Sequence, residues 1–362
     1  MTRMGCQDIT GRYPSVFLDK FVRQVFIFHK NRSRTNPAPD AGSFFYYNYK
    51  EHKPCLIIFP FPGHLKNCYK DNQKHNTKQA GACFILLISG IFDAEMRYFF
   101  HIAYHGYNYR GWQRQEEVIS VQQVIEEALS RILKEPVTVM GCGRTDAQVS
   151  ASQYFFHIDV SKKWEFDLLF RLNMVLPADI AVFEIIPVTD TQHARFDASS
   201  RTYDFFIHTY KDPFLARISS LYQEQNLNLA EMKKAVALFT KYDNYGVFCK
   251  SPDKHNHTIC KVTSAVLYSD VKGEKLRFRI TANRFLKTMI RILMGKLLEI
   301  GRGEFTVAEL EHCLATQTPP KSILPAHPQG LFLSKVTYPF LELEPRVDFE
   351  NVLQRKENWI TV

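Results

Sequence analysis

The sequence has few of the features that mark secreted, membrane-spanning or disulfide-linked proteins. Its longest apolar run, from Cys83 to Phe92, is too short to cross a bilayer, and Met1 to Asp8 lacks the pattern of a secretory signal. The chain has eight cysteines among 362 residues, with no C-x-x-C pair and no regular spacing. In a chain of this length, such cysteines indicate reduced thiols. We therefore expect a cytoplasmic protein with no membrane partner.

Cofactor and metal motifs are also missing. The sequence contains neither a P-loop nor a dinucleotide-binding glycine pattern. Four metal-capable residues lie close together at Cys249, His255, His257 and Cys260. Their spacing does not match the ligand pairs of common zinc sites, so we interpret this segment as an exposed loop and keep a structural metal as the alternative. The sequence predicts an activity that needs no metal and no cofactor.

The protein is basic, but its charge is unevenly distributed. The net charge is +9, from 46 Lys and Arg against 37 Asp and Glu. Residues 1–95 hold 13 of the basic and 7 of the acidic residues, which leaves 33 against 30 for the rest of the chain. A basic protein favours a polyanionic partner. On the nearly neutral main body, however, a nucleic-acid site must be a local patch.

The patterning of the sequence changes at Met96. Before it, polar clusters alternate with aromatic runs and no helical or strand period persists. Residues 1–95 could be a poorly ordered extension, a small accessory domain, or upstream sequence attached through a misplaced start codon, and we favour the last. After Met96 we expect three parts: a first half at 96–200, a second half at 201–345 and a short tail at 346–362.

From residue 96 onward, predicted strands and helices alternate. Ser120-x-x-Gln123 has the capping-box pattern, Asn228 and Thr306 resemble helix N-caps, and Gly301 resembles a helix stop. Strands mixed with helices in this way favour the α+β class, with helices packed on sheets. Strands are predicted at 97–104, 136–140, 154–160, 180–188, 202–209, 275–281 and 331–338, and helices at 120–132, 230–241, 285–300 and from 306.

The strand at 275–281 alternates strictly between apolar and polar residues. Leu276, Phe278 and Ile280 lie on one predicted face, and Arg277 and Arg279 on the other. This pattern predicts a strand with one buried face and one basic face.

The loop at residues 141–147 is the most unusual local feature. Gly141 and Gly143 permit a tight backbone path, and Arg144 and Asp146 follow at alternate positions. An arginine close to a carboxylate favours its ionised, nucleophilic form. From the residues alone, a turn with a local ion pair remains the alternative.

Several motifs resemble the TruA family of tRNA pseudouridine synthases, in the same order from Met96 to about Tyr338. The loop Gly143-Arg144-Thr145-Asp146-Ala147 is similar to the family's GRTDA motif. The other matching segments are Tyr104 with Gly106, Tyr109 and Gly111-Trp112-Gln113-Arg114-Gln115; Asn173 with Leu176-Pro177 and Asp179-Ile180; His193-Ala194-Arg195-Phe196 with Ala198; Arg201 with Tyr203; Ala282-Asn283-Arg284-Phe285-Leu286 with Met289, Arg291 and Gly295; and Pro325-Ala326 with Gly330-Leu331.

The resemblance implies roles for individual residues. Asp146 corresponds to the family's catalytic aspartate, which attacks the ribose C1′ or the uracil C6, or takes a 2′ proton. Arg291 corresponds to the arginine that pairs with it, and Tyr203 to the tyrosine that packs on the base. Arg144 corresponds to the arginine that holds the place of the displaced nucleotide. The remaining RNA-contacting residues implied are Thr145, Arg195, Arg201 and Arg284.

The resemblance also implies a fold, a substrate and an assembly. The fold would be two α/β-type halves whose antiparallel or mixed sheets form one concave platform, with helices on the outer face and the active cleft between the halves. The substrate would be tRNA, at uridines 38–40 of the anticodon stem-loop. The enzyme would be a homodimer that binds RNA across both subunits.

Three positions depart from the family pattern. Gln148 stands where a glycine is usual, Ser150 where a histidine is usual, and His105 where an aspartate is usual. The altered loop motivates a second hypothesis, a tRNA-binding protein or chaperone that has lost catalysis, which the intact Asp146 disfavours. A synthase acting on ribosomal RNA is a third, disfavoured because other synthase families carry RLD in place of RTD.

Overall fold

The computed structural model describes residues 41–48, 53–60, 96–224, 226–346 and 359–361. The chain divides into two units, Met1–Asp93 and Ala94–Val362. In the first unit, strands β1 (Ala41–Asn48) and β2 (Lys53–Pro60) pair antiparallel, with Ala41 opposite Pro60 and Asn48 opposite Lys53. The expectations for the rest of 1–95, and for most of the tail at 346–362, lie outside the described residues.

The second unit is an open, mixed sheet of ten strands with five α-helices in its described part, an α+β fold as predicted. The strands are β3 (Met96–Tyr104), β4 (Met140–Gly141), β5 (Ser150–Val160), β6 (Ile180–Val188), β7 (Ser200–His208), β8 (Ser220–Leu221), β9 (Val262–Asp270), β10 (Lys275–Ala282), β11 (Leu331–Thr337) and β12 (Trp359–Thr361). Their order in the sheet is β12-β9-β10-β7-β11-β5-β3-β6, with β4 paired to β5 and β8 to β7. The helices are α1 (Val121–Leu133), α2 (Leu168–Val175), α3 (Leu229–Val236), α4 (Met289–Arg302) and α5 (Val307–Thr316).

A short parallel pairing joins the two halves of this sheet. β11 runs antiparallel to β7 on one side and parallel to β5 on the other, where Phe332 lies opposite Ser150. A separate apolar core lies under each half, and Tyr203 packs against both cores. The start of β5, just after the GRTDA loop, therefore lies two strands from Tyr203.

The helix caps agree in part with the sequence. Thr306 and Glu309 form a complete capping box at the start of α5, and the side chain of Asn228 caps α3. Ser120 accepts from Gln123 N, but the Gln123 side chain donates to Glu127, so only half of that predicted box forms. Among the described residues, no helix is long and apolar enough to cross a membrane.

Helix α4 differs from its prediction at both ends. It begins at Met289 instead of Phe285, and it continues past Gly301 to Arg302. Gly303 ends it with a left-handed φ of 76°, and its N–H bonds Glu299 O and Ile300 O. Thr288, just before the helix, has a left-handed φ of 63° that breaks the helical path from residues 285–287.

The basic face predicted for β10 is not a solvent-exposed face. Arg277 has only 2% of its side chain exposed, and its Nε donates to Asp204 Oδ1 at 2.7 Å. Arg279 Nε donates to the same oxygen at 2.9 Å. The two arginines hold the pKa of the buried Asp204 below its usual value, against the opposing effect of burial. The predicted alternation of apolar and polar residues is correct, but both arginines pair with Asp204 on the neighbouring strand β7.

Candidate active site

The GRTDA loop connects β4 to β5 and is held from below by two tyrosines. Tyr154, in β5, donates its hydroxyl to Gly143 O at 2.6 Å. Tyr104, at the end of β3, shares a hydrogen bond of 2.9 Å with Thr145 Oγ1. Burial raises the pKa of both tyrosines well above the usual value, so both phenols stay protonated and keep these bonds. These two bonds hold the loop just before Asp146, at Gly143 and Thr145.

A second loop, at residues 106–112, packs against the first at very short range. A Cβ on Gly111 would lie 2.4 Å from Thr145 O, so only glycine permits this approach. Trp112 N donates to that same carbonyl at 3.3 Å, and Gln148 N donates to Tyr109 O at 3.0 Å. The motif around Trp112 therefore supports the GRTDA loop from the side.

The departures at Gln148 and Ser150 are both accommodated. Gln148 adopts a left-handed φ of 64°, the conformation for which a glycine is the usual choice. Ser150 is fully buried, and its hydroxyl accepts from Gly106 N at 2.9 Å. The loop therefore keeps its path, with some backbone strain at Gln148.

Asp146 is partly buried, with 29% of its side chain exposed, and its Oδ2 has two partners. Thr288 Oγ1 donates to it at 3.1 Å, and Arg291 Nη1 lies 3.4 Å from it. Arg291 is itself held by a bond of 2.7 Å from its Nε to Ala326 O. A Cβ on Gly295 would lie 2.2 Å from Leu324 O, so that glycine lets the 324–326 segment pack against α4.

Tyr203 lies at the junction of the halves, where it packs against both apolar cores. Its ring meets Phe285 edge-on, with 5.2 Å between centroids. Burial, the nearby Cys142 thiol and Asp146 all raise the pKa of Tyr203, while Arg201 opposes them, and burial has the largest effect. The phenol therefore stays neutral at physiological pH. It can offer a ring face or a proton but is not present as an anion.

Arg201 gives four hydrogen bonds to backbone carbonyls. Nη1 donates to Ala198 O and Asn283 O, each at 2.9 Å. Nη2 donates to Cys142 O at 3.0 Å and to Arg195 O at 2.8 Å. Arg201 thus connects the GRTDA loop, the loop at 193–198 and the loop before α4.

The loop at 193–197 presents Arg195 and Phe196 outward on a histidine support. Phe196 is 75% exposed, and the Arg195 guanidinium lies 5.8 Å from its ring centroid. His193 Nδ1 accepts from the backbone N of both residues, at 3.0 and 3.3 Å. Below it, His157 Nδ1 accepts from Ala194 N at 3.2 Å. An exposed ring beside a guanidinium is an arrangement that can receive an unstacked base.

The other arginines of the expected site occupy different positions. Arg144 is exposed on the GRTDA loop beside Asp146. Arg284 Nη1 contacts the His257 ring and donates to His257 O at 3.4 Å. His257 belongs to the cluster considered as a metal site, while Cys249 and Cys260 are buried. Within the described part of the chain, no three His, Cys, Asp or Glu residues are grouped to hold a metal ion.

Comparison with known proteins adds to this geometry. A family model described as tRNA pseudouridine synthase matches residues 238–339. The tRNA pseudouridine synthase A of Azobacteroides pseudotrichonymphae is 38% identical over 251 residues, which cover 67% of this chain and 97% of that protein. The protein of that name from Porphyromonas gingivalis is 37% identical over 248 residues, with the same two coverages of 67% and 97%. That from Chlorobaculum tepidum is 33% identical over 240 residues, covering 66% and 96%.

The chain belongs to the tRNA pseudouridine synthase A family. Pseudouridine synthases are isomerases, and the resemblance noted in the sequence is confirmed. The synthase motifs converge on one place in the structure: the GRTDA loop, the start of β7 and the start of α4. The family relatives match nearly their whole length but only two thirds of this chain, so about a third of the chain has no counterpart in them.

Sequence reasoning missed one polar residue at the centre of this synthase site. Thr288 was placed inside a predicted helix, where its hydroxyl would have no special role. The only hint was its position three residues before Arg291. The supporting tyrosine Tyr154 was also missed, because it is an ordinary aromatic within a strand pattern.

Proposed function

We propose that this chain isomerises uridine to pseudouridine in the anticodon stem-loop of tRNA, at positions 38–40, with Asp146 as the nucleophile. The observation that carries the proposal is the position of Asp146, bonded by Thr288 and Arg291 and near enough to Tyr203 to raise the pKa of that phenol. The family membership supports tRNA as the substrate. A protein that had lost catalysis would have no use for a carboxylate held in this way, so we do not favour the binding-only alternative.

The reaction exchanges one bond for another within the nucleoside. The N1–C1′ bond breaks, a C5–C1′ bond forms, and the C5 proton is lost while N1 gains one, so no atoms or electrons enter or leave. Three routes use a lone pair of Asp146. It bonds C1′ as the N1–C1′ pair leaves on the uracil. Alternatively, it bonds C6 as the C5–C6 π pair shifts to C5 and O4 as an enolate, and the N1–C1′ pair then leaves on N1. In the third route it takes the C2′ proton as the pair left behind forms a C1′–C2′ π bond and expels the uracil.

Arg291 and Tyr203 have distinct roles in this proposal. Arg291, anchored on Ala326 O, contacts the carboxylate and orients it. Tyr203 packs on the detached uracil, because its neutral ring provides an apolar face in a pocket that must retain the free base.

We propose RNA contacts for the exposed Arg144 and Arg195 and for Arg284, which is partly exposed beside His257. Arg201 and Thr145 were expected to join them, but their side chains are bonded to carbonyls and to Tyr104 respectively. We therefore assign these two the task of holding the loops. A cytoplasmic homodimer with RNA bound across both subunits completes the proposal and rests on the family resemblance.

The test is pseudouridine formation by the Asp146→Asn variant. Asparagine keeps the size of the side chain but replaces the carboxylate anion with a neutral amide, a far weaker nucleophile and base, so pseudouridine in single-turnover assays should fall to background while tRNA binding survives. Exposed Asp190→Asn is a control and should react normally. Pseudouridine formed by pure Asp146→Asn protein would refute the aspartate mechanism, and modification elsewhere in tRNA would refute the anticodon assignment.

A further inference from the structure

Thr288 occupies the N-cap position of α4, but it does not cap the helix. An N-cap threonine normally has extended φ and ψ, and its hydroxyl accepts from the N–H groups of the first turn. Thr288 has φ 63° and ψ 2°, and its side chain makes no capping bond. Its hydroxyl instead donates to Asp146 Oδ2 at 3.1 Å.

The backbone conformation of Thr288 is unfavourable in itself. A left-handed conformation is rare for a β-branched residue, because its Cβ substituents crowd the backbone there. Strain of this kind concentrates at functional sites, where the surrounding structure maintains it. Thr288 therefore makes no capping hydrogen bond and has a strained backbone conformation. In this conformation its hydroxyl bonds Asp146.

In the part of the chain that the structure describes, the side-chain hydrogen bonds of Asp146 are all on one oxygen. Thr288 and Arg291 both contact Oδ2, and Thr288 is the nearer of the two, at 3.1 Å against 3.4 Å. Within the described residues, Oδ1 has no hydrogen-bond partner. Arg291 is directed partly elsewhere, because its Nε is bonded to Ala326 O.

We infer that Thr288 is a positioning residue, which with Arg291 fixes Asp146 Oδ2 so that Oδ1 is the oxygen that meets the nucleoside. The inference rests on the proposed function, since it assumes that Asp146 reacts. One carboxylate oxygen then serves as the anchor and the other as the reacting atom. The same division applies whether Oδ1 bonds C1′, bonds C6 or takes the 2′ proton.

Three substitutions at Thr288 separate this role from a structural one. Thr288→Val removes the hydroxyl at nearly constant shape and should slow single-turnover pseudouridine formation about tenfold, the loss of roughly one charge-assisted hydrogen bond. Thr288→Ser keeps the hydroxyl and should retain most of the rate. Thr288→Gly loses the same hydroxyl but also relieves the backbone, so it should slow the reaction as valine does and lower the melting temperature less than valine does. The dissociation constant for tRNA should stay within about twofold in all three.

Lys134→Gly is the matched control for backbone strain. Lys134 has a left-handed φ of 60° at the end of α1, away from Asp146. Its replacement should raise the melting temperature and leave the rate unchanged. A Thr288→Gly protein that melts at a lower temperature than Thr288→Val would show a structural role and overturn the inference, as would a Thr288→Val protein with the wild-type rate.

Asp146→Asn, assayed in parallel, separates the two levels of the argument. If it is inactive while Thr288→Val is unaffected, only the inference about Thr288 fails. If Asp146→Asn reacts, the proposed function fails first. A structure of the protein with tRNA containing 5-fluorouridine, whose C5 cannot lose a proton, should show Oδ1 nearest the nucleoside and Oδ2 on Thr288. The reverse arrangement would contradict the assignment of the reacting oxygen.

Discussion

At the scale of single residues, the site contains backbone conformations that residues other than glycine rarely adopt. Gln148 and Thr288 both have positive φ, at 64° and 63°, and they lie on the two loops that meet at Asp146. The bond from Thr288 to Asp146 gives its conformation a reason. Within the described residues, the hydrogen bond that Gln148 makes runs from its backbone N to Tyr109 O. Any residue except proline could make that bond.

We therefore expect Gln148→Gly to stabilise the protein. Glycine adopts this φ without the steric cost, and its greater freedom in the unfolded chain offsets part of the gain, so the net effect should be at most about 1 kcal/mol. Thermal melting measures it. Glu116→Gly, at an exposed position without positive φ, is the control and should destabilise. A lower melting temperature for Gln148→Gly would mean that the glutamine side chain makes a contact worth more than the strain.

At the scale of elements, the loop at 193–197 depends on a neutral histidine beneath it. Burial, with smaller effects from Arg97 and His193, lowers the pKa of His157 to about 4, and only Asp159 opposes this. The Nδ1 that accepts from Ala194 N must be unprotonated to do so. Between about pH 6.5 and pH 4 the unfolded chain binds this proton and the folded chain does not.

The sign of the pH dependence follows from that difference. The contribution of His157 to stability is fully present above about pH 6.5 and should be lost as the pH falls towards 4. His157→Asn offers an acceptor oxygen that does not titrate. Its melting temperature should therefore fall less steeply between pH 7 and pH 4.5 than that of the parent protein. Parallel curves for the two proteins would show that His157 does not supply the acid sensitivity.

At the scale of the whole second unit, Arg201 connects loops from both halves. Its four carbonyl acceptors lie on three separate segments, at Cys142, at Arg195 and Ala198, and at Asn283. Removing a side chain that holds loops together and removing one that contacts phosphate should affect the salt dependence of tRNA binding differently. Only phosphate contacts release counterions when the complex forms.

Replacing Arg201 and Arg144 by methionine should therefore change different properties, the melting temperature for Arg201 and the salt dependence of tRNA binding for Arg144. Arg144→Met should reduce the slope of log affinity for tRNA against log salt by about one and leave the melting temperature unchanged. Arg201→Met should lower the melting temperature by several degrees, since it leaves four carbonyls without their donor. Any Arg201→Met protein that remains folded should keep the parent salt slope. A reduced slope with normal stability would restore the RNA-contact role.

The second prediction at this scale concerns residues 1–95. Both described apolar cores and every site residue lie within Ala94–Val362. We propose that a protein starting at Met96 folds and modifies tRNA, with a melting temperature close to that of the full chain. Binding at low salt should weaken modestly, because residues 1–95 hold 13 Lys and Arg against 7 Asp and Glu. Thermal melting and single-turnover assays of both proteins test this, and loss of folding or activity in the shorter one would refute it.

Much of the fold could be predicted from the sequence, because strand and helix boundaries depend largely on residues that are close together in the chain. The strand predicted at Ile180–Val188 matches the observed bounds of β6, and the Thr306 capping box marked the start of α5. These features depend on which residues neighbour one another in the chain. The GRTDA loop and its likeness to the synthase family were likewise carried by contiguous motifs.

Contacts between distant segments were decided only by the tertiary structure. Apolar periodicity placed the start of α4 at Phe285, but Thr288 breaks the helix there to reach Asp146, 142 positions earlier in the chain. Arg277 appeared to belong to an exposed basic face until Asp204, 73 positions away, proved to be its partner. Arg201 appeared to be an RNA contact until its carbonyl acceptors were seen. A sequence records which side chains carry charge or a hydroxyl, but the partner that satisfies each one is chosen by packing, which brings together segments that local patterns cannot relate.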